Sequence, residues 1–449
     1  MRLLIFSELR SQWRAWAGVF VLAVAAGFVL AIGASIADTG AELGGEFQEN
    51  LSGAAAMILI FSGAAAIAVL SSVATLAVTL QQRSYALWQL IGARPLTVGI
   101  IVLLQLLIVS IVGATLGVAL ARPAADPLFA LGFGTAPILR GVHVHFGVVT
   151  MLGSIFGVCG IVLLGGWRVA RRAAFTPPLE ILREAEPRHR RMRWFRWIFV
   201  AAAGSAAYAL SSSLFGTPLS QSGSQVPLIA PVLTIFVVAL APVLYPAVLT
   251  AWTAVLPARL SSAWFLARNQ ARYRLAYSTA AITPLMVGIS LSAGLYTAAA
   301  TLNDAFRIQG TGGTAALHTN EVALLLGGPL LLSAVAAAIV VFMSNRTRGQ
   351  ELALLQASGA TNRTIILTAT LEAVIYVITA GILAFAVIIA SSVIIAAGLS
   401  TAAPGTAAKI DAVPGLVIAG IGCGLILVAT LAPTLAGLRK DVMRTLSSE

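Results

Sequence analysis

Lysine is the residue that most clearly limits the chemistry open to this chain. A P-loop that binds nucleotide phosphates needs a lysine directly after glycine and before serine or threonine. The chain has only two lysines: Lys409 follows Ala408, and Lys440 follows Arg439. The sequence therefore predicts that the chain has no ATP-binding P-loop of its own.

Other reactive side chains are equally sparse. His143 and His145 form a His-x-His pair, but a metal site needs further ligands, and none lies nearby in the sequence. Hydrogen bonding at a membrane surface is the favoured interpretation of this pair. The sequence contains no serine–histidine–aspartate set, no paired carboxylates and no glycine-rich nucleotide loop. We therefore predict that the chain is not an enzyme, that it has no catalytic residues and that it holds no metal or cofactor.

The composition is that of a membrane protein. The chain has 449 residues, of which 59% are hydrophobic and 10% are charged. Soluble domains average about 45–50% apolar and about 25% charged residues, so a soluble fold could not cover a core of this size. The net charge of +12 comes from arginines spread over many segments. That spread is typical of loops facing anionic lipid headgroups, and it does not favour nucleic acid as a partner.

Ten apolar runs are long enough to cross a bilayer as helices. Their approximate ranges are 15–36, 54–81, 97–121, 148–167, 197–214, 226–249, 278–299, 323–343, 365–396 and 413–437. With the N-terminus inside, every lysine and arginine lies in an inside segment except Arg122, Arg140, Arg307 and Lys409. Positive residues concentrate in cytoplasmic loops. The distribution therefore predicts ten spans with both termini cytoplasmic.

One acidic residue, Glu372, falls within a predicted span, where an ionisable group is a functional candidate by default. Gln105 occupies the corresponding place in an earlier span and cannot carry a proton. A structural hydrogen bond or a salt bridge to a cytoplasmic-side arginine is therefore favoured for Glu372 over proton coupling, which stays open as the alternative.

An internal repeat divides the chain. An offset of 267 residues aligns Gln89 with Gln356, Gly92 with Gly359, and Gln105 with Glu372. An offset of 264 aligns Cys159-Gly160 with Cys423-Gly424, and an offset of 262 aligns the segments that precede spans one and seven. The sequence thus predicts two copies of a four-span unit, each of which starts and ends inside, so that the copies are parallel.

These observations predict an all-α polytopic membrane protein. Residues 1–172 form the first four-helix unit, residues 173–261 a basic linker followed by spans five and six, and residues 262–449 the second unit. Span six should be kinked by Pro242 and Pro246, because proline removes a helix hydrogen bond. Spans five and six are interpreted as a packing spacer, with a lateral gate as the alternative. The outside loops, at about 37–53 and 300–322, are too short for a folded domain.

The most similar parts of the two units are short apolar segments between their second and third spans. The first reads RSYALWQLIGA and predicts a short helix. Gly92 is expected to end this helix by adopting the left-handed backbone conformation. The second reads QELALLQASGA and ends in the same way at Gly359. An apolar helix in the cytosol must cover its apolar face, either against the spans or in a groove of a partner protein.

These segments resemble those of the FtsX-like permease family, the membrane subunits of MacB- and BceB-type ABC transporters. In that family the segment is a coupling helix that docks into the ATPase, and a span with a polar residue follows it. The resemblance assigns ATPase coupling to residues of both copies: Arg83, Tyr85, Leu87, Trp88, Leu90 and Gly92 in the first, and Glu351, Leu352, Leu354, Leu355 and Gly359 in the second. It also implies that Gln105 and Glu372 are the intramembrane polar residues.

The resemblance implies a permease that couples ATP hydrolysis by a separate ATPase dimer to export or extraction of an amphiphile, either a peptide or a lipid. ATP and Mg²⁺ would be bound by that partner, with two ATPase copies per permease chain. The alternative is a non-transport subunit that relays ATPase motion to an extracytoplasmic enzyme or sensor. The implied location is a prokaryotic plasma membrane. The chain lacks the large outside domain of MacB- and BceB-type proteins. The acidic residues in segment 38–49 are interpreted as keeping the outside end of span one in water, with a cationic or amphiphilic substrate or an accessory extracellular protein as the alternative partners.

Overall fold

The computed structural model describes most of the chain. The described residues are 13–133, 142–175, 194–216, 225–257, 261–273, 275–310, 324–340, 359–411 and 413–438, together with 218, 222, 223, 343 and 356. Every secondary-structure element in these ranges is helical. This agrees with the predicted all-α class, since a backbone in lipid must satisfy its hydrogen bonds within each segment.

The helices follow the ten apolar runs. The first are α1 (Trp13–Leu43), α2 (Gly45–Leu80), α3 (Gln82–Leu90), α4 (Pro95–Phe133) and α5 (Val148–Phe175). Next come α6 (Trp194–Ser213), α7 (Ile229–Ala239), α8 (Ala241–Val255) and α9 (Ser262–Tyr273). The last are α10 (Leu275–Gln309), α11 (Leu324–Val340), α12 (Asn362–Leu399) and α13 (Val413–Leu438). The described part of each predicted run is helical, and run 226–249 is divided between a short 3₁₀ turn, α7 and α8.

Six of the described helices are long and apolar enough to cross a membrane: α1, α2, α4, α5, α10 and α12. The bent pair α7–α8 would make a seventh if it forms one span. The described parts of α6, α11 and α13 do not meet the same test of length and hydropathy. The chain is therefore an all-helical, multi-pass membrane protein, and the arrangement of ten spans stays a prediction.

The outer connection between α1 and α2 differs from the predicted loop. Helix α1 continues to Leu43 and α2 begins at Gly45, so a single residue joins them. Gly44 and Gly45 both have positive φ, at 67° and 59°. Glycine adopts such angles without a steric penalty. The acidic segment is therefore built mostly into two helix ends.

The helices pack as two bundles in contact. In the first bundle, α1 packs against α2, α4 and α5, and α5 also packs against α2 and α4. In the second bundle, α10 packs against α12 and α13, which also contact each other. Helix α2 packs against α10, and α11 touches α1, since Gly18 lies against Ile339 and Met343. One continuous hydrophobic core includes residues from both bundles.

Helices α1 and α4 cross at a very short distance. A Cβ atom at Gly113 would lie 2.9 Å from the Phe20 carbonyl oxygen, and one at Gly117 would overlap the Val24 carbonyl oxygen. Such a contact between backbones is possible only for glycine, as in the GxxxG pattern of membrane helices. The pattern Gly113-x-x-x-Gly117 is thus a helix-packing site.

Spans five and six pack mainly against the second bundle. Helices α7 and α8 meet at an angle of 83°, directly before Pro242. The predicted kink is confirmed at Pro242 as a sharp bend, whereas Pro246 lies inside α8, which continues to Val255. Helix α7 contacts α10 and α12, and α8 contacts α12. The indole N–H of Trp252 donates to Thr379 Oγ1 at 3.0 Å, which ties α8 to α12.

Helix α9 is amphipathic and lies directly before α10. Its buried residues include Trp264, whereas Phe265 and Tyr273 are exposed. The Arg272 guanidinium donates to Thr253 Oγ1 at 2.7 Å and to a carbonyl oxygen near the end of α8. Burial, with a smaller contribution from the nearby positive charge of Arg268, lowers the pKa of Arg272. Arg272 thus joins α9 to the C-terminal part of α8.

Candidate functional site

Helix α3 is anchored on one side. It lies between α2 and α4 and also contacts α5. Tyr85 and Ala86 are fully buried, and the ring of Tyr85 packs edge-on against Trp88 at a centroid distance of 5.6 Å. The Tyr85 hydroxyl donates to the Gln81 side-chain oxygen at 2.6 Å. Burial of this face fixes the helix on the end of the first bundle.

The opposite side of α3 exposes apolar side chains. Leu87 is 45% exposed, Leu90 is 51% exposed, and Ile91, directly after the helix, is 86% exposed. These residues lie within one and a half turns of each other. They form a small apolar surface at the C-terminal end of α3. Such a surface is suited to insertion into an apolar groove of another protein.

A Schellman motif ends α3. The Gly92 N–H donates to the Gln89 carbonyl oxygen at 3.0 Å, and the Ala93 N–H donates to the Trp88 carbonyl oxygen at 2.9 Å. Gly92 has a φ of 104°. This is the pair of hydrogen bonds that defines the motif. The left-handed glycine predicted from the sequence is confirmed.

The second copy ends with the same local geometry. Gly359 has a φ of 91°, and its N–H donates to the Gln356 carbonyl oxygen at 3.0 Å. Gln89 and Gln356, like Gly92 and Gly359, are separated by 267 residues. The next helices begin at Pro95 and Asn362, which the same offset relates. Thr361 caps the second of these helices by accepting from the Thr364 N–H at 3.3 Å.

Part of the predicted coupling set lies outside the described residues. This applies to Glu351, Leu352, Leu354 and Leu355, and to the side chain of Arg83. Among the described members, Tyr85 faces the bundle and Trp88 is half-buried against its core, so these two anchor α3. The assignment of these residues to ATPase coupling stays a prediction.

Gln105 and Glu372 are both buried, on α4 and α12. Neither side-chain polar atom of Gln105 has a hydrogen-bond partner among the residues that the structure describes. Glu372 accepts a 2.6 Å hydrogen bond from the Tyr376 hydroxyl. The two residues predicted to be equivalent thus share burial and position, but they differ in their hydrogen bonding.

Two residues of the α3 site were missed by the sequence reasoning. Gln81 is buried and accepts the hydrogen bond of Tyr85. The sequence signal for this contact was the spacing of four residues, about one helical turn, between Gln81 and Tyr85. Ile91 is the most exposed of the apolar residues at this end. It could have been included because it continues the apolar run up to Gly92.

His143 and His145 each lie beside a carboxylate. His143 Nδ1 is 3.1 Å from Asp126 Oδ2, and His145 Nδ1 is 2.9 Å from Glu42 Oε1. Within the described ranges, no three His, Cys, Asp or Glu residues are grouped so that they could hold a metal ion. The preference for hydrogen bonding over metal binding at this pair agrees with these contacts.

Comparison with known families identifies part of the chain. The family model described as FtsX-like permease C-terminal matches residues 322–442, a range that contains α11, the Gly359 turn, α12 and α13. A search of the curated proteins found no match. Members of this family are generally non-enzymatic membrane subunits that work with an ABC ATPase. Residues 322–442 of this transmembrane chain are therefore similar to the C-terminal part of FtsX-like permeases, a family of ABC transporter-type membrane subunits.

Proposed function

We propose that the chain couples ATP hydrolysis by a separate ATPase dimer to the export or extraction of an amphiphile, either a peptide or a lipid. The observation that carries this proposal is the apolar surface of Leu87, Leu90 and Ile91. It is held at the tip of a helix whose other face is buried. A helix anchored in this way can transmit a push from a docked partner to α2 and α4.

Two docking points per chain are part of the proposal. The equal 267-residue offset of Gly92 from Gly359 and of α4 from α12 supports a second coupling segment before α12. Two such segments match the two subunits of an ATPase dimer. We therefore infer one permease chain per ATPase dimer, with ATP and Mg²⁺ bound by the ATPase.

The coupling test uses alanine variants of leucines in the two proposed coupling segments. Leu87→Ala, and Leu354→Ala with Leu355→Ala, should reduce co-purification with the partner ATPase, and should also reduce its turnover. Leu120→Ala is the matched control, because Leu120 is 56% exposed but lies on the far half of α4. Unchanged association and turnover in the coupling variants would overturn the proposal.

A second measurement tests whether the substrate is an amphiphile. ATPase turnover of the intact complex in lipid nanodiscs should rise when an amphiphilic peptide or lipid is added. The short connection at Gly44 leaves no room for a folded outside domain between α1 and α2, which favours direct handling of an amphiphile. Turnover that responds only to an added extracytoplasmic protein would favour the alternative, a subunit that relays ATPase motion to an enzyme or sensor.

We also propose that the termini and α3 face the cytoplasm of a prokaryotic cell. The excess of arginine in the segments on that side supports this orientation. In a variant with Cys159 and Cys423 replaced by serine, a cysteine at Ile91 should react with an impermeant maleimide only after permeabilisation. A cysteine at Glu49 should react in intact cells. The reverse pattern would contradict the orientation.

A further inference from the structure

An extended segment, residues 142–147, lies across the end of the first bundle that is opposite α3. The His145 N–H donates to Thr39 Oγ1 at 3.0 Å, and the Gly147 N–H donates to Asp38 Oδ2 at 2.8 Å. His145 Nδ1 is 2.9 Å from Glu42 Oε1. All three contacts join this segment to α1. We call residues 142–147 the first strap.

The side chains of the first strap alternate as in a strand. Val142, Val144 and Phe146 pack against a buried apolar cluster formed by α1, α2 and α4. His143 and His145 point away from that cluster and meet carboxylates. The strap is therefore held by apolar contacts on one face and by histidine–carboxylate pairs on the other.

The second bundle has a comparable set of polar contacts but not the same apolar face, since Ile410 is 44% exposed. Residues 407–411, the second strap, lie across the end of α10. The Lys409 N–H donates to Thr301 Oγ1 at 3.4 Å, and the Asp411 N–H donates to Thr297 Oγ1 at 3.2 Å. Lys409 Nζ is 2.6 Å from Asp304 Oδ1.

The residues of the two straps correspond by the repeat offsets found in the sequence. An offset of 264 relates His145 to Lys409, and an offset of 262 relates Glu42 to Asp304. The threonines that accept the backbone N–H groups, Thr39 and Thr301, are also related by 262. An ion pair thus joins equivalent positions in both units, with histidine and glutamate in the first and lysine and aspartate in the second.

We propose that the first strap is a pH-dependent latch and that the second strap is its pH-independent counterpart. Histidine changes its charge between about pH 5 and pH 8, whereas lysine stays charged. An acidic exterior therefore adds a charge–charge attraction between α5 and α1 in the first unit, and a neutral or alkaline exterior removes it. The placement of the straps outside the cell rests on the proposed orientation.

The surrounding charges of the first strap are few. Asp38 is engaged by the Gly147 N–H, and Asp126 accepts from the Val144 N–H and pairs with His143. Glu49 and Arg122 also lie at this end of the bundle, but their side chains form no ion pair within the described part of the chain. Protonation of His143 and of His145 therefore acts in the same direction, towards a tighter strap.

At the second strap, the charged groups near Lys409 are Asp304 and Arg307 on α10, and Asp411 in the strap itself. Aspartate, arginine and lysine side chains in general keep their charge between about pH 5 and pH 8. The second strap therefore serves as an internal reference within the same molecule.

Hydrogen exchange of the strap amides tests the proposal on the purified full-length permease in nanodiscs. Protection of residues 143–147, corrected for the intrinsic exchange rate, should be about two- to five-fold greater at acidic than at alkaline pH, as expected for a half-exposed ion pair. Protection of residues 407–411 should not change. An equal response of both straps would overturn the proposal.

Variants that exchange histidine and lysine between the two straps test whether the pH response follows the histidine. His145→Lys should leave only the smaller pH response of His143, which His143→Gln then removes. Lys409→His should give the second strap a pH response that it lacked. His145→Gln should lower the protection and should also leave only the smaller pH response of His143. Persistence of the full response in the His143→Gln, His145→Lys double variant would contradict the latch. Because exchange is read from the permease alone, a failed ATPase association would leave this result unaffected.

Discussion

The Tyr376 hydroxyl donates a 2.6 Å hydrogen bond to Oε1 of Glu372, one helical turn earlier on α12. Both residues are buried. Ser278 Oγ lies 3.4 Å from the same hydroxyl and donates at 2.7 Å to the Ala271 carbonyl oxygen. The Glu372 carboxylate is thus joined through Tyr376 to the junction between α9 and α10.

Glu372→Gln should keep most of the stability, because the amide oxygen can still accept from Tyr376. Glu372→Leu should lower the free energy of unfolding by about 1–3 kcal/mol, since a buried hydroxyl then loses its acceptor. Chemical unfolding of the purified protein in detergent measures both changes. If Gln and Leu were equally destabilising, the negative charge itself would be required. Loss of ATPase stimulation in an otherwise stable Glu372→Gln variant would revive proton coupling.

Gly117→Ala should separate α1 from α4 and lower the free energy of unfolding by about 1–3 kcal/mol, as overpacking does in other cores. The new methyl group would overlap the Val24 carbonyl oxygen, which belongs to a helix backbone and cannot rotate away. Gly157→Ala is the control, since no atom lies within 4 Å of its added Cβ. Thermal unfolding in detergent compares the two variants, and equal midpoints would contradict the tight crossing.

Gly92→Ala and Gly359→Ala should each cost about 1–2 kcal/mol through left-handed backbone strain alone. No atom lies within 4 Å of a Cβ added at either glycine. The cost should therefore appear as loss of the turn and weaker ATPase association, with little change in the packing of the bundles. ATPase co-purification and thermal unfolding measure the two effects separately. Gly63→Ala, in open space and without a positive φ, should affect neither.

Trp252→Phe and Thr379→Val should show that α8 is fixed to α12. Each variant removes one partner of the 3.0 Å indole hydrogen bond, and the double variant should cost less than the sum of the two. A coupling free energy of about 0.5–1.5 kcal/mol is expected for such a bond. A value of zero would mean that this hydrogen bond does not hold α8 to α12.

Local features of this chain could be predicted from its sequence. The Gly92 turn follows from a glycine after an apolar helical run, and the bend before Pro242 follows from proline chemistry. The helical state of the ten runs follows from their length and hydropathy. In each case the decisive residues are neighbours in the chain.

Contacts between distant residues could not be predicted in this way. Glu42 and His145 are 103 residues apart in the sequence, and nothing in the pattern around either one specifies the other. The continuation of α1 to Leu43 was missed because acidic residues at a helix end look like a loop when only hydropathy is considered. The repeat offsets would have related the two straps once one of them was known.

The length of α4 has a mechanical consequence. Its 39 residues span about 58 Å, nearly twice the roughly 30 Å of hydrocarbon in a bilayer. Its tightest contact with α1, at Gly113 and Gly117, lies near its centre, leaving arms of about 27 Å towards Pro95 and about 24 Å towards Phe133. A rod that pivots at such a point is a lever with almost equal arms. If α4 rotated as one rod, a sideways displacement at Pro95 would reach the far end nearly undiminished and in the opposite direction, and bending at Pro123 and Pro127 would reduce that transfer.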